Sequence, residues 1–234
     1  MNDPIGQAIF DYYMHGKAPA IKVSSNYTEN EEIIPSWFFR EVQDMPKIEQ
    51  TALRLCRGKI LDVGAAAGCH SVPLKNKGFD VTAVEKSALA AEILNKRGID
   101  NIVNTDIFSF TGKGFDTILL LMNGAGIGAT VNGLIKLMKH LGSLLTNGGQ
   151  ILLDSTDISY LFREDDGSYW TDIANPGYFG EMLYYTKYKT LETEFKWLFI
   201  DRQKMKECAE TAGLKFEIAD EGKQNEYLAR LTKK

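Results

Sequence analysis

The sequence predicts an α/β fold built on a doubly wound, mostly parallel sheet of seven strands. Between residues 59 and 154, short apolar strands alternate with helical segments, which is typical of βαβ units. Within the predicted strand from Phe115 to Met122, residues 118–122 are continuously apolar, as expected of a parallel strand buried on both faces. Two final strands, residues 214–219 and 226–231, are separated only by a polar turn and predict a C-terminal antiparallel hairpin.

The elements around this sheet predict a single domain over residues 1–234. Asp3 and Pro4 predict the start of a short helix, which forms part of an N-terminal helical cap. Residues 16–35 are expected to form a polar surface loop. Asp44 is expected to be the N-cap residue of a lead-in helix that ends at Gly58. Four parts are expected. Residues 1–58 form the cap with its lead-in helix, 59–154 the core of alternating strands and helices, 155–200 an inserted cap segment, and 201–234 the last helix with the hairpin.

Length and composition are ordinary for a soluble globular protein. Of the 234 residues, 44% are hydrophobic and 25% are charged, and no apolar run approaches the roughly 20 residues that span a bilayer. The start lacks the basic and hydrophobic regions of a secretory signal. Cys56, Cys69 and Cys208 show no CxxC spacing, which argues against a disulfide framework and a zinc site. We therefore expect a cytoplasmic protein with no membrane partner and no metal.

The net charge of −4 bears on the choice of partner. Nucleic-acid binders usually carry a basic surface, because phosphate neutralisation supplies much of their affinity. The sequence contains only short basic clusters. This charge balance argues against a nucleic-acid partner.

The most informative segment begins at Asp62, where a predicted strand enters a turn of small residues at positions 64–68. Such a turn lets a ligand approach bare backbone amides and the start of the next helix. A dinucleotide fingerprint starting at Gly64 requires glycine at relative positions 3 and 6. Those positions hold Ala66 and Cys69, so the segment does not match a dinucleotide site.

The same segment resembles motif I of the class I, Rossmann-like S-adenosylmethionine-dependent methyltransferases, an acidic residue followed by GxGxG. Asp62, Gly64 and Gly68 match, and Ala66 replaces the middle glycine. The resemblance implies S-adenosyl-L-methionine as the cofactor and a strand order of 3-2-1-4-5-7-6. It also implies that Gly64, Ala65, Ala66 and Gly68 pass under the methionine moiety, with Asp62 near its ammonium group.

Two further segments are expected to bind the nucleoside. Glu85 ends the second predicted strand, 17 residues after Gly68, where nucleotide-binding folds place an acid against the ribose hydroxyls; Lys86 follows it. After the third strand, the resemblance implies that Asp106 bonds the adenine amine and that Ile107 packs on the ring. The alternatives are that Glu85 is a solvated strand end and that Asp106 only caps its turn.

The fourth predicted strand leads to Asn123 and Gly124 at the carboxyl edge, where ligands of open α/β sheets bind. Asn123 either contacts the cofactor or acceptor or stabilises the turn. It is one of two candidate catalytic residues. The other is His70, just past the small-residue turn, which is also expected to contact the cofactor. The alternative is that His70 is an exposed residue at the start of a helix.

Aromatic residues are dense in two segments without a place in the sheet, residues 1–43 and 155–200. Aromatic faces exclude water and give shape selectivity for a compact ligand. The residues expected at the acceptor are Tyr13, Trp37, Arg40 and Trp197. The alternative is that these side chains pack the cap onto the core.

Three functions fit these observations. The acidic charge and aromatic cap favour methyl transfer to a small-molecule acceptor. A protein or RNA methyltransferase lacks support from a basic patch, and the chain has Met122 and Asn123 where amino-methyltransferases carry an Asn/Asp-Pro-Pro-Tyr/Phe motif. The third function is a non-catalytic module that binds S-adenosylmethionine or S-adenosylhomocysteine.

Overall fold

The computed structural model describes residues 2–29, 31–162 and 177–234. It has α-helices α1 to α6 at Pro4–His15, Lys47–Leu55, Ser71–Asn76, Ala88–Lys96, Val131–Leu144 and Arg202–Thr211. Strands β1 to β11 lie at Ile21–Ser25, Glu31–Ile33, Ile60–Val63, Val81–Glu85, Asn101–Asn104, Phe115–Leu120, Leu145–Thr156, Glu181–Tyr188, Leu191–Leu198, Leu214–Glu221 and Glu226–Lys233.

The main sheet has seven strands in the order β10-β11-β7-β6-β3-β4-β5. The five strands from β7 to β5 are parallel, and β11 pairs antiparallel with both β7 and β10. Read from the β5 edge, this is the predicted order 3-2-1-4-5-7-6. The predicted α/β fold and its C-terminal hairpin are confirmed.

Local sequence explains where the helices of the main sheet begin. The side chains of Ser87, Thr130 and Asp201 accept hydrogen bonds from backbone N–H groups in the first turns of α4, α5 and α6. On α5, Leu134, Leu137, Met138 and Leu141 recur at helical spacing and are buried in the main core. Because β3 to β7 run parallel to one another in the main sheet, their carboxyl ends lie at the same edge of the sheet.

The prediction of a loop over residues 16–35 is wrong. This segment contains β1 and β2, which join β8 and β9 in a second sheet of the order β2-β1-β8-β9. In β1, Ile21 and Val23 are buried while Lys22 is exposed, so burial alternates with the period of two that is typical of a strand. With only five residues, β1 is too short for this alternation to be recognised in the sequence. Its partner β8 lies more than 150 residues away along the chain, and a local sequence pattern cannot predict such a distant pairing.

The lead-in helix also differs from its prediction. Asp44 lies in a separate 3₁₀ turn, Val42–Asp44, and α2 follows Pro46 without a side-chain cap. The backbone conformation of Pro46, with φ −51° and ψ 149°, is what separates the turn from the helix.

The N-terminal cap and the inserted segment meet on one apolar cluster. Ile9 of α1, Ile21 of β1 and Tyr188 of β8 pack there with Ala67 from the small-residue turn. The Tyr188 hydroxyl donates to Asp11 of α1 over 2.8 Å. The cap is thus built directly against the segment predicted to bind the cofactor.

Two aromatic residues of the insertion, Tyr169 and Trp170, lie outside the described residues. Within the described ranges, no helix is long and apolar enough to cross a membrane.

Candidate cofactor and acceptor site

The small-residue turn follows β3 and is held in a left-handed backbone conformation. Gly64 has φ 71° and Ala66 has φ 48°. The Gly64 N–H donates to Val84 O on the neighbouring strand over 2.8 Å. This conformation is easy for glycine and unfavourable for alanine. Because residues 64–68 are all glycine or alanine, the turn presents only backbone and methyl groups, with Gly64 exposed and Ala66 half-buried.

Asp62 is the buried acid beneath this turn, with 2% of its surface exposed. The Ser71 hydroxyl donates to its carboxylate over 2.5 Å. Burial raises the pKa of Asp62, although the charge of His70 and the bond from Ser71 act in the opposite direction. Ser71, at the first position of α3, was not predicted, because a serine at a helix start is usually only a cap.

Glu85 lies beside the turn, as its spacing predicts. Its carboxylate accepts from the Ala66 N–H over 2.8 Å and from the Ser87 N–H over 2.7 Å. Burial raises the pKa of Glu85 despite these donors. The side chain thus joins the small-residue turn to the start of α4, and each carboxylate oxygen retains capacity to accept another hydrogen bond.

The segment after β5 adjoins Glu85 through its backbone. The Asn104 amide donates to Glu85 O over 2.7 Å and to the backbone oxygen of Lys86 over 3.1 Å. Asp106 accepts from the Phe108 N–H over 2.9 Å, so it does cap its turn. The Lys86 and Asp106 side chains are exposed, whereas Ile107 is buried in the main core. The adenine-binding roles of Asp106 and Ile107 remain predictions.

The turn after β6 is the second strained segment of this edge. Met122 has φ 66° and Asn123 has φ 59°, both in the left-handed region. The Asp154 carboxylate accepts from the N–H groups of Asn123 over 3.0 Å and Gly124 over 2.8 Å. Burial raises the pKa of Asp154 to about 6 despite those donors. Asp154 therefore fixes the backbone of the turn that carries Asn123 and Gly124.

The side chain of Asn123 is engaged by its neighbours. Its amide donates to Leu198 O over 3.0 Å, and its oxygen accepts from the Ser155 hydroxyl over 3.0 Å. Through these bonds Asn123 connects β7 and β9 to the turn after β6. Asn123 therefore stabilises the turn, which is one of the two roles considered for it from the sequence. A direct role for Asn123 toward a ligand stays a prediction.

His70 is buried, with 5% of its surface exposed. Its Nε2 atom lies 2.7 Å from Oε2 of Glu49, which also forms an ion pair with Arg40. Burial lowers the pKa of His70, but its contacts with Cys69 and Glu49 outweigh that effect and raise the pKa well above its usual value. Burial alone would raise the pKa of Glu49, yet the bonds and charges of His70 and Arg40 lower it.

Glu49 was not predicted as a site residue. It is on α2, whose Ile48 and Ala52 pack in a cluster with Cys69 and Leu74. That packing brings Glu49 against His70, 21 residues along the chain. A glutamate at this position of an amphipathic helix carries no local signal of function, since such residues usually lie on the solvated face.

The four predicted acceptor residues lie in different surroundings. The Arg40 guanidinium lies 4.5 Å from the centroid of the Trp37 ring, which is 42% exposed. Tyr13 is also exposed and stacks on Phe39 at 6.3 Å. Trp197 covers Gly126 in the turn after β6, so closely that a side chain at Gly126 would overlap the indole. The structure brings Trp37 and Arg40 together but not all four residues.

A cavity of about 660 Å³ opens at the carboxyl edge of the sheet. Its lining consists of polar and acidic side chains with two aliphatic ones: Pro46, Ile48, Glu49, Asp154, Thr156, Tyr160, Gln224, Asn225 and Glu226. None of the four predicted acceptor residues is among them. Asp154 stands at the end of a predicted strand, which is the signal that would have placed it at this edge.

No protein-family model matches the chain, and none of the curated proteins matches it. Among solved structures, a SAM-dependent methyltransferase from Bacteroides fragilis, in complex with S-adenosyl-L-homocysteine, has 39% sequence identity and a TM-score of 0.92. The match covers 99% of this chain and 94% of the Bacteroides chain.

Two more distant structures share the fold. The sugar N-methyltransferase KedS8 from Streptoalloteichus sp. has 17% identity and a TM-score of 0.60, covering 90% of this chain and 97% of that one. The amino pentose methyltransferase CalS10 from Micromonospora echinaspora, with SAM bound, has 16% identity and a TM-score of 0.53, covering 80% and 88%.

The fit of the site to this cofactor can be judged from the residues present. A small-residue turn, a buried acid beneath it and an acid at the end of the adjacent strand meet at one edge. A buried guanidinium N–H, the Nε of Arg40, lacks a partner among the described residues near the same edge. This chain belongs to the class I, Rossmann-like S-adenosylmethionine-dependent methyltransferases, and S-adenosylmethionine is its cofactor.

Proposed function

We propose that the protein transfers the methyl group of S-adenosylmethionine to a small-molecule acceptor held in the cavity at the carboxyl edge. The observation that carries this proposal is the position of Asp154. Its carboxylate accepts from two backbone N–H groups of the turn after β6 and also lines the cavity. The cavity and the proposed cofactor site thus share one wall.

Cofactor binding is assigned to the carboxyl ends of β3 and β4. The Gly64–Gly68 turn supplies close backbone approach, Asp62 faces the ammonium group, and Glu85 accepts from the ribose hydroxyls. When bound, the cofactor supplies a methyl group that its sulfonium already activates. The main tasks of the protein are therefore to align the acceptor and to exclude water.

The size and lining of the cavity support a small, hydrophilic acceptor. A volume of about 660 Å³ lies within the range of small-molecule sites, roughly 300–1,000 Å³. Its charged lining residues are Glu49, Asp154 and Glu226, and the described lining contains no lysine or arginine. Such a surface suits an acceptor that presents hydroxyl or amine hydrogens to carboxylates.

Asp154 is the proposed proton acceptor of the site. Its pKa of about 6 leaves the carboxylate mostly ionised at neutral pH. A carboxylate with a raised pKa is better matched to receive a proton from an acceptor that must lose one during attack. Because the N–H groups of Asn123 and Gly124 hold both of its oxygens, the carboxylate has a fixed orientation.

The function is tested by incubating the protein with methyl-labelled S-adenosylmethionine and a cell extract separated into small-molecule, protein and RNA fractions. We expect labelled product in the small-molecule fraction only. Label confined to protein or RNA would contradict the proposed acceptor class. Binding of S-adenosylhomocysteine without transfer to any fraction would favour a non-catalytic module instead.

A further inference from the structure

Arg40 is an arginine whose charge is almost completely withdrawn from water. Only 8% of the residue is exposed, although it directly follows the short 3₁₀ segment Pro35–Phe39 on the surface side of the fold. Burial of a guanidinium is costly unless its N–H groups are satisfied. Each donor of Arg40 should therefore have a partner in the functioning protein.

Most of these donors do have partners. One terminal nitrogen pairs with the Glu49 carboxylate. The other donates to Trp37 O over 2.6 Å and lies 3.5 Å from the sulfur of Met122. The exception is Nε, which is buried and has no hydrogen-bond partner among the described residues. An unpaired guanidinium N–H of this kind is suited to an anionic oxygen.

The neighbours of Arg40 identify which anion would reach this nitrogen. Glu49 links Arg40 to His70, which lies two residues after the small-residue turn. Met122 places Arg40 against the turn after β6. Arg40 thus lies between the two turns that, in the proposed function, flank the methionine part of the cofactor. The only anionic group of S-adenosylmethionine is the α-carboxylate of that methionine.

We propose that the Nε–H of Arg40 binds the α-carboxylate of S-adenosylmethionine. This inference rests on the proposed cofactor site and moves Arg40 from the acceptor, where the sequence placed it, to the cofactor. Glu49 then acts as a positioning residue, since its carboxylate pairs with a terminal nitrogen of the guanidinium. Asp62, beneath the turn, faces the ammonium group of the same amino acid.

The test compares two ligands that differ only at the carboxylate, S-adenosylhomocysteine and its decarboxylated analogue. We expect the wild-type protein to bind S-adenosylhomocysteine at least about tenfold more tightly, which corresponds to about 1.4 kcal/mol. Arg40→Lys retains the charge but lacks Nε–H. It should lose at least about tenfold in affinity for S-adenosylhomocysteine while its affinity for the analogue stays unchanged.

Arg230→Lys is the matched control. The Nε of Arg230 is also buried and has no partner within the described part of the chain, but Arg230 is on β11 and its side chain pairs with Glu217. That variant should bind both ligands as the wild type does. An equal loss for both ligands in Arg40→Lys would mean that Arg40 only supports the fold, and would overturn the inference.

A measurement on the wild type alone keeps the inference testable if Arg40→Lys does not fold. The ¹⁵Nε resonance of Arg40 should shift when S-adenosylhomocysteine binds and should not shift with the analogue. Equal affinity of the wild type for the two ligands would refute the carboxylate contact and leave the proposed function intact. Failure to bind either ligand would instead contradict the proposed function itself.

Discussion

The Nε2 atom of His70 lies 2.7 Å from Oε2 of Glu49, and both side chains are almost fully buried. This contact joins α2 to the segment between the small-residue turn and α3. Removing one partner of a buried charged pair leaves the other uncompensated, which is strongly destabilising. The contact therefore couples the protonation of His70 to the stability of the fold around the cofactor site.

The first prediction concerns the pH dependence of stability. Since the folded state raises the pKa of His70 well above 6.5, its contribution is fully present below about pH 6.5 and is lost as the pH rises through the folded-state pKa. We expect the melting temperature of the wild type to fall on the alkaline side of that value. The same series for His70→Gln should fall less steeply.

Glu49 has the opposite dependence. Its pKa is lowered in the folded state, so its contribution is present above about pH 4.5 and is lost as the pH falls through the lowered value. The His70 prediction would be contradicted if the melting temperatures of the wild type and of His70→Gln changed in parallel between pH 5 and pH 10.

The second prediction concerns Glu85. Glu85→Gln keeps one oxygen that can accept the N–H of Ala66 or Ser87, but removes the charge proposed to accept from the ribose. Hydrogen bonds to charged groups are each worth about 1.5–3 kcal/mol. We therefore expect S-adenosylhomocysteine affinity, measured by calorimetry, to fall by about tenfold or more.

The matched control for Glu85→Gln is Glu92→Gln, because Glu92 lies on the exposed face of α4. It should leave the affinity unchanged. A folded Glu85→Gln protein with wild-type affinity would mean that Glu85 only connects the small-residue turn to α4.

The third prediction concerns the cavity. Thr156 lies on β7, is half-buried and lines the cavity. Thr156→Trp should fill much of this volume, so methyl transfer to the identified acceptor should fall by at least about tenfold, or about 1.4 kcal/mol in the barrier. Affinity for S-adenosylhomocysteine should remain within about threefold, since Thr156 forms no part of the proposed cofactor site.

Thr193→Trp is the control for this change, because Thr193 is a half-buried threonine on β9 in the second sheet. It should retain full activity. If Thr156→Trp were also fully active, the acceptor would have to bind elsewhere.

The fourth prediction concerns the attachment of the N-terminal cap. Tyr188 is completely buried and its hydroxyl donates to Asp11 over 2.8 Å. Tyr188→Phe should reduce the free energy of unfolding by about 1–3 kcal/mol, the cost of leaving a buried acceptor without one of its partners. Tyr185→Phe, at an exposed position of the same strand, should change it by less than about 0.5 kcal/mol. Urea titration of the two variants measures the difference, and equal stabilities would contradict the role given to the Asp11 contact.

The main sheet could be predicted because its strands carry their own signals. The apolar residues of β3, β4 and β6 are buried on both faces, so apolar residues predominate in each strand. The second sheet could not be predicted, since β1 and β2 have five and three residues and depend on distant partners. Short strands of this kind are formed by tertiary pairing more than by propensity.

The candidate site divides in the same way. Asp62 and Glu85 could be predicted because they stand at strand ends in register with the small-residue turn. The network of Arg40, Glu49 and His70 could not, because three separate elements bring it together and no spacing along the chain encodes it. Asp154 lies between these cases, since its strand was predicted but its bonds to the turn after β6 arise from the pairing of β6 with β7.

The turn at residues 64–68 and Glu85 are proposed to form a site for S-adenosylmethionine and not for a dinucleotide. It is tested most directly by calorimetric titration of the wild-type protein with S-adenosylhomocysteine, S-adenosylmethionine and NAD in turn. We expect saturable binding of both sulfur nucleosides and no heat of binding with NAD. Binding of NAD, with no response to either sulfur nucleoside, would contradict it.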